Sequence, residues 1–483
     1  MDLRYWLERA VTAVERWQDT FGGYEPHPSL AVDDAAFGAA FTAFAERLND
    51  NYPFFHPRYA GQMLKPPHPA AVAGYVTAML INPNAHALDG GPATAEMEKE
   101  AVARLAGMFG LPCHLGHLTS SGTIANLEAL FVARETHPDR GIAYGTESHY
   151  THARMCHVLG VQGHPVPADG RGHLDLDALD ALLAGGRVGT VVVTAGTTGL
   201  GVVDPIHEVL PIARRHGVRV HVDAAYGGFF TLVAGTEGID AAPWRAIAAC
   251  DSVVVDPHKH GLQPYGCGAV LFADPAVGRF YVHDSPYTYF TSDELHFGEI
   301  SLECSRAGAS AAALWLTFEL LPPTPEGLGA ALAAGRRGAL RFAEAVAASP
   351  VLELYQEPEL DIVTYYPAHP SLSAIDAASE KILTEGMNAA DDPVFLSTLR
   401  VSAADLTRRN PALEADTDGA RLLRSVLMRP EQEAYAPHLV TRVAELARCP
   451  PIVANDPPGH GRTIVRHDRC WSRGCSGVAD FGA

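Results

Sequence analysis

The 483-residue sequence contains no apolar run of the ~18 residues that a membrane-spanning helix requires, so no membrane span is expected. It has no excess of positive charge either. With 36 Lys+Arg against 56 Asp+Glu the formal net charge is −20, which argues against general attraction to nucleic-acid phosphates or anionic lipid. Cysteine is sparse and scattered: Cys113, Cys156, Cys250, Cys267, Cys304, Cys449, Cys470 and Cys475 form no disulfide framework, and reduced thiols are the simplest reading. One group, His460, His467, Cys470 and Cys475, holds residue types that bind zinc, but its spacing matches no compact zinc module. Its surroundings, PPGHGRTIVRHDRCWSRGCSG, are rich in Gly, Arg and Ser, so a flexible tail over 451–483 and no bound metal are expected. There is no internal repeat. The amino terminus MDLRYWLERAVTAVERWQD reads as an amphipathic helix rather than a signal peptide, which points to a cytoplasmic protein.

What is present is ample core, 47% of residues being hydrophobic. Residues 1–75 combine the first helix with the proline-rich NYPFFHPRYAGQMLKPPHP, which cannot be continuous helix and is read as an arm. ATAEMEKEAVARLAGMFG (93–110) predicts a helix with Val102, Leu105 and Met108 or Phe109 on its buried face, ended by Gly110 and Pro112. Four β-branched runs follow: GTVVVTAG (189–196), VRVHVDAA (218–225), DSVVVDPH (251–258) and GCGAVLFAD (266–274). They lack polar alternation, as strands covered on both faces do, and the helical IHEVLPIARRHG separates two of them. A mostly parallel α/β sheet is predicted over a large domain, 76–330, with a smaller C-terminal α+β domain over 331–450.

In open α/β sheets ligands bind at the carboxyl ends of the strands, and there the polar residues collect: Thr197, Thr198, Asp223, His258 and Lys259. TSSGTIANLEALFVARE (119–135) adds a small-residue turn running straight into an amphipathic helix. Its exposed N–H groups and helix dipole suit a phosphate, with Ser121, Gly122 and Thr123 as candidates, although the turn alone would read as an ordinary Ser/Thr cap. Asp223, followed by the small Ala224 and Ala225, could hold a pyridine nitrogen protonated beneath a ring that lies flat. Lys259, just past an apolar strand, could form an imine with an aldehyde. Each feature alone is ordinary. Together, in this order, they meet the requirements of a pyridoxal-phosphate site. The glycine-rich GTTGLG (196–201) has the wrong glycine order for a dinucleotide fingerprint.

LTSSGTIANLEAL, ESHYTHARMCHVLG, TAGTTGLGVVDPI, HVDAAYGG and DSVVVDPHKHGLQPYGCG together resemble the pyridoxal-phosphate-dependent group II amino-acid decarboxylases, relatives of the glutamate and aromatic-amino-acid enzymes. HPRYAGQM and SLECSRAGASAAALW extend the resemblance over roughly residues 50–430. It implies the fold-type I, aspartate aminotransferase-like architecture and a homodimer with active sites at the subunit interface. It implies that Lys259 holds the cofactor aldehyde and that Asp223 pairs with the ring nitrogen. His149 would stack on one ring face with Ala225 on the other, and Gly122 and Thr123, helped by Ser121 and His258, would hold the phosphate. Thr197 is a further cofactor or substrate contact. Arg58, Tyr59 and Gln62 are candidates for the substrate side-chain pocket. In VHDSPYTYFTSDELHFGE (282–299) a lid tyrosine is expected as proton donor, Tyr287 being favoured over Tyr289. The expected reaction is removal of the α-carboxylate of a small L-amino acid. The alternatives are oxidative deamination to an aldehyde, transamination, β-elimination, or a non-catalytic role as a cofactor-binding partner protein. SSGT departs from the more usual glycine-rich phosphate turn, and the tail from residue 451 carries none of the motifs of the resemblance, so its role stays open.

Overall fold

The computed structural model of the chain describes residues 1–282 and 296–448. Among the described residues, 1–24 and those from 53 to 448 form one compact unit, and Glu25–Tyr52 belongs to a second. The first helix, α1 (Leu3–Asp19), opens on an Asp2 cap, and α2 (Asp34–Leu48) lies in the second unit. The proline-rich stretch is irregular until α3 (Pro69–Ile81), where Pro69 sits at the first helical position and His68 caps the first turn. The expected helix is α4 (Pro92–Met108), which buries Val102 and Leu105 and stops where Gly110 takes a φ of 72°.

The main sheet contains β1 (Leu115–Thr119), β2 (Gly141–Gly145), β3 (Gly163–Val166), β4 (Val188–Thr194), β5 (Arg219–Asp223), β6 (Ser252–Val255) and β7 (Gly268–Phe272). Their spatial order is β1-β7-β6-β5-β4-β2-β3. From β3 through β6 neighbours run parallel, while β7 runs against both β6 and β1. All seven residues of β4 are buried, because helices cover both faces, and this is why its sequence shows no polar alternation. On one face the helix α5 (Gly122–Thr136) sets Ala125, Ala129 and Val132 against Val254 and Val270. On the other, Val102, Leu105 and Phe109 join Val191, Val193 and Phe229 in the main core. Fully burying each such valine or phenylalanine is worth about 1.5–3 kcal/mol, enough to fix the strand ends beneath a polar site.

The antiparallel second sheet has order β10-β11-β9-β8, from β8 (Leu352–Leu354), β9 (Ile362–Pro367), β10 (Ser397–Ser402) and β11 (Gly419–Val426). The helices Leu328–Ala347 and Gln432–Arg448 cover it through Phe342, Val346, Leu439 and Val443. The change of pattern anticipated at residue 331 falls in the first turn of Leu328–Ala347, and both sheets lie in the same compact unit. The tail 451–483, with its histidine and cysteine cluster, lies outside the described residues. Among those described, Cys113, Cys156, Cys250, Cys267 and Cys304 are free thiols, and no helix is long and apolar enough to cross a membrane.

Candidate active site

Parallel pairing aligns the ends of the central strands: Thr194 of β4 is opposite Asp223 of β5, and Asp223 is opposite Val254 of β6. Beyond β6 the chain turns through Asp256, Pro257, His258 and Lys259, with the Lys259 N–H donating to the Asp256 carbonyl at 2.9 Å. These ends and the start of α5 enclose a cavity of about 160 Å³. Its walls include Ser121, Gly122, Thr123, His149, Thr198, Asp223, Ala225, His258 and Lys259, so nine residues singled out from the sequence meet in one place.

Asp223 is buried, and both its oxygens are held. Oδ2 is 2.8 Å from Nε2 of His152, on the helix α6 (Thr151–Leu159), and Oδ1 accepts the Ala225 N–H at 3.1 Å. Burial pushes its pKa up, but the His152 hydrogen bond and the nearby Lys259 charge outweigh that and hold it well below the usual carboxylate range. The Lys259 ammonium lies 3.1 Å from Oδ2 of Asp256. Asp256 Oδ1 is buried without a hydrogen-bond partner among the described residues. Burial lowers the pKa of His258, whose Nδ1 is 2.7 Å from the Cys267 carbonyl. His149 is half-buried, its Nδ1 2.7 Å from the Thr151 hydroxyl, and burial likewise lowers its pKa.

The small-residue turn opens α5, with the Ser121 hydroxyl accepting from the Ile124 N–H at 3.3 Å. A methyl group on Gly122 would come 2.4 Å from Asp256 Oδ2, so only glycine allows the turn this close to the lysine-bearing loop. Behind it, Asn126 donates to the Gly122 carbonyl at 2.9 Å and pairs with His221 Nε2 at 2.9 Å; the other nitrogen of His221 lies 2.8 Å from Ser252 Oγ. Burial drives the His221 pKa to about 3, so this chain of neutral groups ties α5 to β5 and β6 without adding charge beneath the cavity.

Not every expected residue lies on this cavity. Thr197 is turned into its own loop, its hydroxyl accepting from the Val202 N–H at 3.2 Å, and Thr198 takes the place on the cavity wall. Arg58 points toward the second sheet's surroundings, with Nε 3.0 Å from Asp392 and 3.3 Å from the Tyr435 hydroxyl. Tyr59 is buried beside Phe395, and its hydroxyl accepts the N–H of the exposed Gln62 at 3.1 Å. None of the three lines the cavity. Tyr287 and Tyr289 lie outside the described residues. Residues missed from the sequence are His152, Asn126, Asp256, Tyr226 and Arg424. The last is buried and donates to the carbonyls of Thr198 at 2.6 Å and Gly199 at 3.0 Å, fixing that loop. The histidine pattern of SHYTHAR was the available signal for His152; Arg424 carried none.

The donor set fits pyridoxal phosphate. A glycine-opened helix start and two hydroxyls suit a phosphate, an ionised buried carboxylate suits a protonated ring nitrogen, and a lysine follows both in sequence and shares their cavity.

The sequence matches the pyridoxal-dependent decarboxylase conserved domain over residues 55–368. It is 28% identical over 386 residues to an L-tyrosine decarboxylase of Enterococcus faecium, a match covering 59% of this chain and 63% of that one. It is 32% identical over 269 residues to a probable L-aspartate decarboxylase of Halobacterium salinarum, covering 55% and 72%. The chain thus spans less than two thirds of the length of the Enterococcus relative. Among solved structures, mouse CSAD superposes with a TM-score of 0.71 at 22% identity, covering 81% of this chain and 84% of that one. Oryza sativa TDC, solved with PLP and tryptamine, gives 0.74 at 17% identity, covering 92% and 98%. These two likenesses establish the fold, which is that of fold-type I.

Proposed function

Because the chain belongs to the pyridoxal-dependent decarboxylase family, a family of carboxy-lyases that use pyridoxal 5'-phosphate, we propose that it removes the α-carboxylate of a small L-amino acid at the Lys259–Asp223 cavity. The observation that carries this reading is the convergence of Lys259, Asp223, His149 and the Gly122 turn on one cavity. When bound, the cofactor supplies an electron sink for the breaking Cα–carboxylate bond. Lys259 would hold the cofactor through its aldehyde, and Asp256, 3.1 Å from the lysine nitrogen, positions the Lys259 amine. Asp223 would keep a proton on the ring nitrogen, His149 and Ala225 would cover the ring, and Gly122 and Thr123 would hold the phosphate. We assign Tyr287, with Tyr289 as the second candidate, as the donor that protonates Cα.

The test is a panel of amino acids, including tyrosine, aspartate and tryptophan, incubated with the loaded enzyme with and without dioxygen. Carbon dioxide and the matching amine in equal amounts under both conditions is the expected result. Hydrogen peroxide, ammonia and aldehyde at stoichiometry with carbon dioxide would replace decarboxylation by oxidative deamination, and a keto acid without carbon dioxide would replace it by transamination.

The working form is proposed to be a homodimer. Supporting this, α2 exposes Phe37, Phe41, Phe44 and Leu48 on one face, an apolar stripe of the kind that is buried by association. Sedimentation should give a particle of twice the chain mass, reduced to the monomer by Phe41→Ser with Phe44→Ser. A wild-type monomer at micromolar concentration would remove the proposal.

A further inference from the structure

Asp223 has to do two things at once: stay ionised although buried, and hold one plane so that an oxygen faces a ring nitrogen. Its strand end supplies only one fixed partner, the Ala225 N–H at 3.1 Å on Oδ1. The second comes from another element. His152 lies in the first turn of α6, is wholly buried, and presents Nε2 to Oδ2 at 2.8 Å. The other ring nitrogen, Nδ1, has no hydrogen-bond partner among the described residues, so Nε2 makes the imidazole's one polar link. A hydrogen carried on Nε2 leaves a bare lone pair at Nδ1, which costs less in a buried site than an unsatisfied N–H. The turn that carries His152 is pinned beside the cavity, because the Thr151 hydroxyl meets His149 Nδ1 at 2.7 Å and the Thr123 hydroxyl at 3.4 Å. His152 itself is not on the cavity wall.

We propose that His152 is the positioning residue for Asp223, orienting the carboxylate by donation from Nε2 so that its remaining lone pairs and its charge are offered to the pyridinium nitrogen. This rests on the cavity being the pyridoxal-phosphate site. Two donors from different elements, one on each oxygen, fix the carboxylate plane as one could not. Removing the Nε2 donor leaves Oδ2 desolvated and unpaired, and the carboxylate is then free to take a proton or to rotate. Either change weakens its hold on the ring proton. His152, in the first turn of α6, acts on the carboxylate, and His149, just before that helix, acts on the ring face.

The experiment loads the full-length protein with ring-nitrogen-15-labelled pyridoxal phosphate and follows protonation of the ring nitrogen by NMR as the pH is raised. Wild type, His152→Phe and His152→Gln are compared, with melting temperatures measured in parallel. In His152→Phe the ring proton should be lost at a pH lower by about one unit, roughly tenfold in proton concentration, as expected for loss of a hydrogen bond to a charged group. kcat should fall by a similar factor with KM little changed. His152→Gln, which keeps a donor, should recover most of the shift. If the phenylalanine variant does not fold, His152→Met removes the same N–H with a slimmer side chain and is read in the same way. A titration in the apolar variant that overlays wild type overturns the proposal. So do equal shifts in the glutamine and apolar variants accompanied by equal losses of melting temperature, which would mark a packing role alone. Absence of cofactor binding by wild type is a different failure, that of the functional reading itself.

Discussion

Lys259→Ala is expected to lower turnover by on the order of 10³-fold or more and to abolish the visible absorbance that lysine-bound pyridoxal phosphate gives. The expectation follows from placement. Lys259 is the lysine on the cavity wall, and its nitrogen is held 3.1 Å from Asp256 at the end of a buried strand. Alanine removes the covalent anchor and leaves Asp256, already carrying one buried unpaired oxygen, without its cation. Some loss of apoprotein stability should accompany the loss of activity. A steady-state assay and an absorbance spectrum check both, and a purified variant that keeps its activity and its visible band would defeat the assignment of Lys259.

The second large effect belongs to Asp223. Asp223→Asn keeps the shape of the side chain and one acceptor oxygen but removes the charge that stabilises a protonated ring nitrogen. A loss of about 10²–10³-fold in kcat is expected, the scale seen when a single preorganised electrostatic contact to a transition state is deleted. Stability gives a second reading with a defined sign. Asp223 has a pKa depressed by its partners against the opposing effect of burial, so its contribution is present above the usual carboxylate range and is lost as the pH falls toward the lowered value. The stability gap between wild type and Asp223→Asn should therefore be open at neutral pH and close in strong acid. Near-wild-type kcat in the variant, or a gap that widens in acid, would count against the role.

The sequence was legible where one physical cause dominated. β4, β5, β6 and β7 are β-branched runs because both faces of the sheet are covered, and no competing pattern disguises them. β2 and β3 were not foreseen: GIAYG and GHPV carry glycine and proline, and Pro165 is tolerated because β3 is an edge strand, where a missing N–H costs little. β11 was hidden by Arg421 and Arg424, one paired with Asp376 and Glu380 and the other buried against the Thr198 loop. The same division runs through the site. Lys259, Asp223, His149 and Gly122 stand in short motifs whose chemistry is local. His152, Asn126 and Asp256 act through contacts across elements, which spacing along the chain does not encode. Thr197 and Thr198 exchange roles through the geometry of a single turn, where Gly196 has a φ of 94°. Arg58 is drawn away by Asp392, more than 300 positions later in the sequence.

Covalent attachment of the cofactor at Lys259 is the point on which the mechanism turns, and the composition makes it simple to measure. The chain has four lysines: Lys65, Lys99, Lys259 and Lys381. Lys65 is the serious rival, since burial lowers its amine to about 8 and so favours the nucleophilic form, yet it is not on the cavity wall. Borohydride reduction of the wild-type protein loaded with pyridoxal phosphate, followed by peptide mapping, should place a single stoichiometric label on Lys259, in the segment DSVVVDPHKHGLQPYGCG. Label on Lys65 or spread among the other lysines, with Lys259 unmodified, would contradict the site described here.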